Sequence, residues 1–133
     1  MPIVLEMVLR LLLATALGAV IGYQRERVGK QAGVRTHVLI SVGAALIALI
    51  SVYGFGGAGD PARVAAGVVV GIGFLGAGVI LHRQGGVVAG LTTAATIWVV
   101  AAIGLAAGAG LYIIAAVVTA IVLGVLVLPH VTG

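Results

Sequence analysis

Five apolar runs, separated by short polar or glycine-rich breaks, divide the chain. Each run is near the ~20 residues that a helix needs to cross the hydrocarbon core of a bilayer. Helices are favoured over strands there, because an open strand in lipid leaves its own backbone groups unsatisfied. The last break, GAG, is so short that the final two helices should form a tight antiparallel hairpin. The predicted spans are about 3–23, 36–55, 61–81, 91–107 and 111–128.

Composition supports a chain that faces lipid. Of the 133 residues, 62% are apolar and only 8% are charged, whereas soluble domains are nearer to half apolar and about a quarter charged. We therefore expect one all-α transmembrane domain over residues 1–133, with the lipid bilayer as its first partner and no soluble C-terminal domain. The absence of cysteine excludes thiol catalysis, disulfides and thiolate metal sites, and no cofactor is predicted.

The basic residues predict an orientation in the membrane. The net charge is +4, and most basic residues gather in one short polar segment with little aromatic content, so anionic lipid head groups rather than nucleic acid are the expected partners. The positive-inside rule places that side in the cytoplasm, with the N-terminus outside and the C-terminus inside. The predicted cytoplasmic residues are Arg25, Arg27, Lys30, Arg35 and Arg83, and the predicted outer ones are Arg10 and Arg63.

The stretch GIGFLGAG, residues 71–78, matches the glycine pattern of dinucleotide-binding turns. No Asp or Glu follows Asp60 to bind a ribose, and the stretch lies inside an apolar span, so nucleotide binding is not expected. Small residues instead permit close approach of membrane helices, which predicts that the third span is the central packing helix and favours a homodimer. The alternative is a helix broken near the midplane. The predicted packing residues are Gly67, Gly71, Gly73, Gly76 and Gly78.

The sequence DPAR begins the third span and has two interpretations. Asp60 can cap the helix while Pro61 fits its first turn. Alternatively, Asp60, with Arg63 one turn away, binds a cation or a proton, or pairs with another helix; it is the one candidate metal ligand. Glu26 is expected at the opposite membrane face, so a site made of two carboxylates is not predicted.

Several further polar side chains are candidates for function. Glu6 and Arg10 have the spacing of an ion pair on one helical face. Glu26 lies between Arg25 and Arg27, whose charge disfavours metal chelation. A salt-bridge network of Glu26 with Arg35 at the cytoplasmic surface is predicted instead. His37 is either an interfacial hydrogen bonder or a pH-sensitive group.

Threonines mark the start of the fourth span, GLTTAATIWV. The hydroxyls of Thr92, Thr93 and Thr96 either bond back to their own helix or reach a neighbouring one. Thr92 and Thr96 share a helical face by their spacing. We therefore count Thr92 and Thr93, at the membrane boundary, among the candidate functional residues.

Three segments together resemble, in order and spacing, the membrane domain of the MgtC/SapB family: RERVGKQAGVRTHVLISVGAAL, DPARVAAGVVVGIGFLGAGVI and GLTTAATIWVVAAIGLAAGAG. The resemblance covers about residues 10–125 and implies a multi-pass protein of the bacterial inner membrane. It further implies a link to growth in low magnesium, survival of intracellular pathogens in macrophages and, in some members, inhibition of ATP synthase. The family pattern falls on Arg25, Glu26, Gly33, Arg35, Thr36, Asp60, Arg63, Gly71, Gly73, Phe74, Gly76, Gly78, Gly90, Leu91, Thr93 and Ala94.

Two features depart from the virulence-linked members of that family. Thr92 stands where some of them have asparagine, and the soluble domain that many members carry is not seen. The function that fits best is a non-enzymatic membrane regulator, which binds copies of itself and another membrane complex such as ATP synthase. The alternative is a small oligomeric transporter of magnesium or another cation that uses Asp60. An enzyme is disfavoured, because no acid, base and nucleophile are clustered.

Overall fold

A computed structural model describes residues 2–55, 60–82 and 88–128 of the chain. Five helices form its described part, as predicted, and their bounds lie within a few residues of the predicted spans. A short antiparallel ribbon of two strands, β1 and β2, precedes the fourth helix and was not predicted. The elements are α1 (Ile3–Arg27), α2 (Val34–Tyr53), α3 (Pro61–Gly78), β1 (Leu81–His82), β2 (Val88–Ala89), α4 (Leu91–Gly108) and α5 (Tyr112–Leu126).

Helix length separates α5 from the other helices. Helices α1 to α4 have 18 to 25 residues and are apolar enough to cross a membrane, whereas α5 has 15. A membrane-spanning helix needs roughly 17–25 residues. The chain therefore has four described helices that meet the criterion, and a crossing by α5 stays a prediction.

Helix α3 begins as its sequence predicts. The Asp60 carboxylate accepts hydrogen bonds from the backbone amides of Ala62 at 3.0 Å and Arg63 at 3.4 Å, and Pro61 occupies the first turn. The helix is then continuous to Gly78. The alternative of a helix broken near the membrane midplane is therefore wrong.

The core of the chain is centred on α4 rather than α3. Helix α4 buries nine residues against α1, α2, α3 and α5, while α3 buries only Val68 and Gly76. The prediction that α3 is the central packing helix is therefore wrong within one chain. Small residues allow close packing only where a second backbone approaches them, and within the described part of the chain most glycines of α3 have no such neighbour.

Close packing by glycine occurs instead on α1 and α4. A Cβ atom added at Gly18 would lie 2.8 Å from the His37 carbonyl oxygen, and one added at Gly108 would lie 2.5 Å from that of Ala45. Both glycines belong to GxxxG patterns, GAVIG and GLAAG, that bring α1 and α4 against α2. These patterns were visible in the sequence, but the denser glycine run of α3 drew the prediction away from them.

Candidate functional site

Polar side chains gather around a buried arginine at each of the two ends of the helix bundle. We name the ends after their buried arginines. The Arg10 end comprises Glu6, Arg10, Tyr53 and Tyr112, where α1 and α5 begin and α2 and α4 end. The Arg25 end comprises Arg25, His37, Thr93 and Thr96, where α1 ends and α2 and α4 begin.

At the Arg10 end, one guanidinium group holds several helices together. Arg10 Nη2 lies 2.6 Å from Glu6 Oε1, which confirms the predicted pair within α1. Its Nε donates to the Tyr112 hydroxyl at 3.1 Å, and its Nη1 donates to the Gly108 carbonyl at 2.9 Å. The guanidinium carbon also lies 5.6 Å from the centre of the Tyr53 ring, within cation–π range. Arg10 is thus paired, hydrogen-bonded and stacked.

At the Arg25 end, the second buried arginine is only partly satisfied. Arg25 is 3% exposed, and its Nη2 donates to the Thr93 hydroxyl and to the Gln31 carbonyl at 3.4 Å. Its Nε is buried without a hydrogen-bond partner, as is the side-chain oxygen of Gln24. No carboxylate among residues 2–55, 60–82 and 88–128 forms a salt bridge with Arg25. The guanidinium charge is therefore buried without a counter-charge.

His37 links the starts of α2 and α4. It is fully buried, its Nδ1 donates to the Gly33 carbonyl at 2.9 Å, and its Nε2 lies 3.2 Å from the Thr96 hydroxyl oxygen. Thr96 in turn donates to the Thr93 carbonyl at 2.8 Å. His37 is therefore a buried hydrogen bonder that joins α2 to α4. The threonines use both predicted modes, since Thr96 bonds back within α4 and Thr93 reaches α1.

Both helices that begin at the Arg25 end have a glycine at the N-cap position. The N-cap of α2 is Gly33 and that of α4 is Gly90, and neither provides a side-chain hydrogen bond. Glu26 Oε1 accepts from the Val34 amide at 3.4 Å. Although Glu26 and Arg35 are both described, no salt bridge joins them, so the predicted network is wrong. Glu26 serves the backbone of α2 instead.

The remaining candidate residues do not gather into one site. Asp60, Arg63 and Thr92 are exposed, as is Arg35, and the Asp60 carboxylate is used in capping α3 at the end opposite Arg25. Within the described ranges, no group of three or more His, Asp or Glu residues could hold a metal ion. Asp60 therefore belongs to no such group in the described part of the chain. The predicted cytoplasmic residue Arg83 lies outside the described residues.

The glycine face of α3 borders an apolar groove shared with α2. The groove has a volume of about 510 Å³. Nothing lies within 4 Å of a Cβ atom placed at Gly67, Gly71, Gly73 or Gly78, whereas Gly76 meets Ala94 of α4 at 3.5 Å. Among residues 2–55, 60–82 and 88–128, Gly76 is the one predicted packing residue that packs against another helix. The groove is lined by Leu39, Ile40, Gly43, Ala44, Ile47, Val64, Gly67, Val68, Gly71, Ile72 and Leu75.

Comparison with known sequences decides the family. A sequence model described as the MgtC family matches residues 11–132. The chain belongs to the MgtC family. The family resemblance predicted from the three sequence segments is thereby confirmed. Residues of the family pattern meet in the structure, among them Arg25 with Thr93, Glu26 with Gly33, and Gly76 with Ala94.

Relatives within the MgtC family carry several names. The chain is 51% identical over 110 residues to "Putative magnesium transporter YhiD" of Escherichia coli K12, covering 77% of this chain and 51% of YhiD. It is 45% identical over 116 residues to "Protein MgtC" of Salmonella typhimurium LT2, covering 87% of this chain and 49% of that protein. The chain thus spans about half the length of these relatives. No solved structure is significantly similar to it.

Proposed function

We propose that the chain is a non-enzymatic regulator in the bacterial inner membrane, which acts by binding other membrane proteins through α3. The observation that carries this proposal is the exposure of α3. It is long and apolar enough to span a bilayer, yet it buries only two residues and borders the apolar groove. Such a helix is suited to receive a second helix.

The physics of helix association supports the same surface. In lipid, helices associate through close van der Waals contact rather than through hydrophobic burial, and glycine permits that contact. The chain already uses GxxxG in this way on α1 and α4. Gly67 and Gly71 form the same pattern on α3 and are open. A second copy of the chain and a membrane complex such as ATP synthase, which the family resemblance implies for some members, are the proposed partners.

Membership of the MgtC family supports a role in adaptation to low magnesium and in intracellular survival. A regulator of membrane energetics fits this role without an ion pathway. The buried ionisable side chains in the spans of the described residues are Arg10, Arg25 and His37. Arginine repels a divalent cation rather than binding it.

The test compares two glycines that are both open in the chain. Inverted membrane vesicles containing ATP synthase should pump protons more slowly with ATP when the chain is present. Gly71→Leu should remove the inhibition, because the larger side chain blocks close approach, while Gly124→Leu on α5 should retain it. Equal inhibition by wild type and Gly71→Leu would contradict binding through α3.

A second candidate function is cation transport, which the name of the YhiD relative favours. Asp60 is its proposed ligand. The exchange Asp60→Asn removes the charge but keeps a good helix cap, so it tests transport without unfolding α3. Magnesium, proton or potassium flux in liposomes that disappears in this variant would replace the regulator proposal.

The orientation of the Arg25 end is also a proposal. The chain lacks cysteine, so single cysteines report accessibility cleanly. With the Arg25 end in the cytoplasm, Lys30→Cys should resist an impermeant reagent in intact cells, while Ala109→Cys at the Arg10 end should react. The reverse pattern would invert the proposed topology.

A further inference from the structure

We propose that the Arg25 end binds a phosphate group, held by the Arg25 guanidinium, the Thr93 hydroxyl and the first-turn backbone amides of α4. The inference goes beyond the proposed regulation and does not depend on α3. The ligand is a phosphate monoester or diester, either as a soluble anion or as a lipid head group, since both present the same oxygens.

The first step concerns the charge of Arg25. A buried ion without a counter-charge is strongly unfavourable, because it has lost its hydration. Arg25 is 3% exposed and has no carboxylate partner in the described part of the chain. Arg10, with similar burial, has Glu6 at 2.6 Å. Arg25 therefore lacks the negative charge that its counterpart in the same helix possesses.

The second step concerns hydrogen bonds. Guanidinium carries five N–H donors, and a buried donor without an acceptor is costly. Arg25 uses Nη2 on Thr93 and Gln31, while its Nε has no partner. A ligand with several acceptor oxygens would supply both the missing charge and the missing acceptor. Phosphate does so, and its pairing with arginine is frequently bidentate.

The third step concerns the helix starts. The first turn of a helix leaves backbone amides without intrahelical partners and carries the positive end of the helix dipole, so it attracts phosphate. Gly90 caps α4 without a side chain, whereas the Glu26 carboxylate already accepts from the Val34 amide at the start of α2. Helix α3 begins at the other end of the bundle, where the Asp60 side chain accepts from the backbone amides of Ala62 and Arg63.

The surroundings also favour an anion. Arg27 and Arg35 are exposed at the same end, and they raise the local concentration of anions without being buried themselves. Because Thr93 is tied to Arg25 and lies in the first turn of α4, a bound phosphate would join α1 to α4. Binding should therefore stabilise the bundle against heat.

The experiment measures thermal unfolding of the full chain in neutral detergent. One arm adds inorganic phosphate against chloride at equal ionic strength, and the other reconstitutes the chain in phosphatidylcholine vesicles with or without phosphatidic acid. We expect the midpoint Tm to rise with a saturable dependence in at least one arm. A rise with inorganic phosphate assigns a soluble ligand, and a rise only with phosphatidic acid assigns a head group.

Two matched variants, Arg25→Gln and Arg27→Gln, each remove one positive charge from the Arg25 end. Arg25→Gln should weaken the apparent affinity by at least about tenfold, as expected for a lost charge-assisted pair. Exposed Arg27→Gln should weaken it far less, because this charge acts only on the local concentration of anions. Thr93→Val keeps the shape of the side chain and should also bind phosphate more weakly. If Arg25→Gln does not fold, the apparent affinity of Thr93→Val tests the proposal by itself. The proposal is overturned if the Tm of the wild type shows no saturable rise in either arm. It is also overturned if Thr93→Val, and Arg25→Gln where it folds, show the same ligand-dependent rise in Tm as wild type.

Discussion

The two buried arginines of α1 differ in what surrounds them. Arg10 meets a carboxylate, a carbonyl, a phenol and an aromatic ring, drawn from helices α1, α2, α4 and α5. Arg25 meets one hydroxyl and one carbonyl and keeps a donor without a partner. The same residue type in one helix is thus a completed structural contact at one end and an incompletely satisfied group at the other.

The difference shows that burial of a charged residue does not by itself indicate its role. Breaking a buried ion pair is destabilising, whereas replacing an unpaired buried ion with an apolar group can be neutral or stabilising. Arg10 should therefore contribute to folding, and Arg25 should be a liability until a ligand binds. Substitutions that change only one end of the bundle can test the roles of Arg10 and Arg25 separately.

The largest effect is expected from disrupting the Arg10 end through its backbone. In Gly108→Leu, the new side chain would collide with α2 at Ala45 and displace the carbonyl that Arg10 binds. Overpacking costs about 1–3 kcal/mol and occasionally more, so the yield of folded protein should fall clearly. Gly124→Leu, on an open face of α5, should fold normally. Size-exclusion chromatography and circular dichroism compare the two, and equal yields would contradict the close contact.

The next prediction compares the two arginines directly. Without phosphate or anionic lipid, Arg10→Met should lower the free energy of unfolding by about 1–3 kcal/mol, since several buried hydrogen bonds are lost. Arg25→Met should cost less or stabilise the chain, because it removes an unpaired buried charge. Denaturant titration of both variants in detergent measures the order. The reverse order would mean that Arg25 is already satisfied.

The smallest effect separates two neighbouring threonines. Thr93→Val removes a buried hydroxyl that accepts from Arg25 and should cost about 1 kcal/mol in free energy of unfolding. Exposed Thr92→Val should stay within about 0.5 kcal/mol of wild type. Urea titration of both variants measures the two changes in free energy of unfolding. A larger loss from Thr92→Val than from Thr93→Val would contradict the buried contact between Thr93 and Arg25.

Local features were predictable from the sequence. Apolar runs located all five helices, because lipid requires each span to be apolar along its length. Asp60 and Pro61 marked the start of α3, since capping involves neighbouring residues, and the four-residue spacing gave the Glu6–Arg10 pair.

Contacts between distant segments were not predictable in the same way. Arg10 and Gly108 are 98 residues apart, and Arg25 and Thr93 are 68 apart. Spacing along one helix carries no information about which side of the next helix faces it. The GxxxG pattern occurs in α1, α3 and α4, and only the packing of the whole bundle separates the glycines that contact a backbone from those that remain open.

The short length of α5 has a consequence for the membrane itself. At 1.5 Å per residue, its 15 residues extend about 22 Å, which is less than the ~30 Å hydrocarbon thickness of a typical bilayer. If α5 crosses, the lipid beside it must become thinner than the lipid beside α1. Such hydrophobic mismatch sorts proteins among membranes of different thickness. One side of this molecule would then favour lipids with shorter chains, independently of any contact that α3 makes.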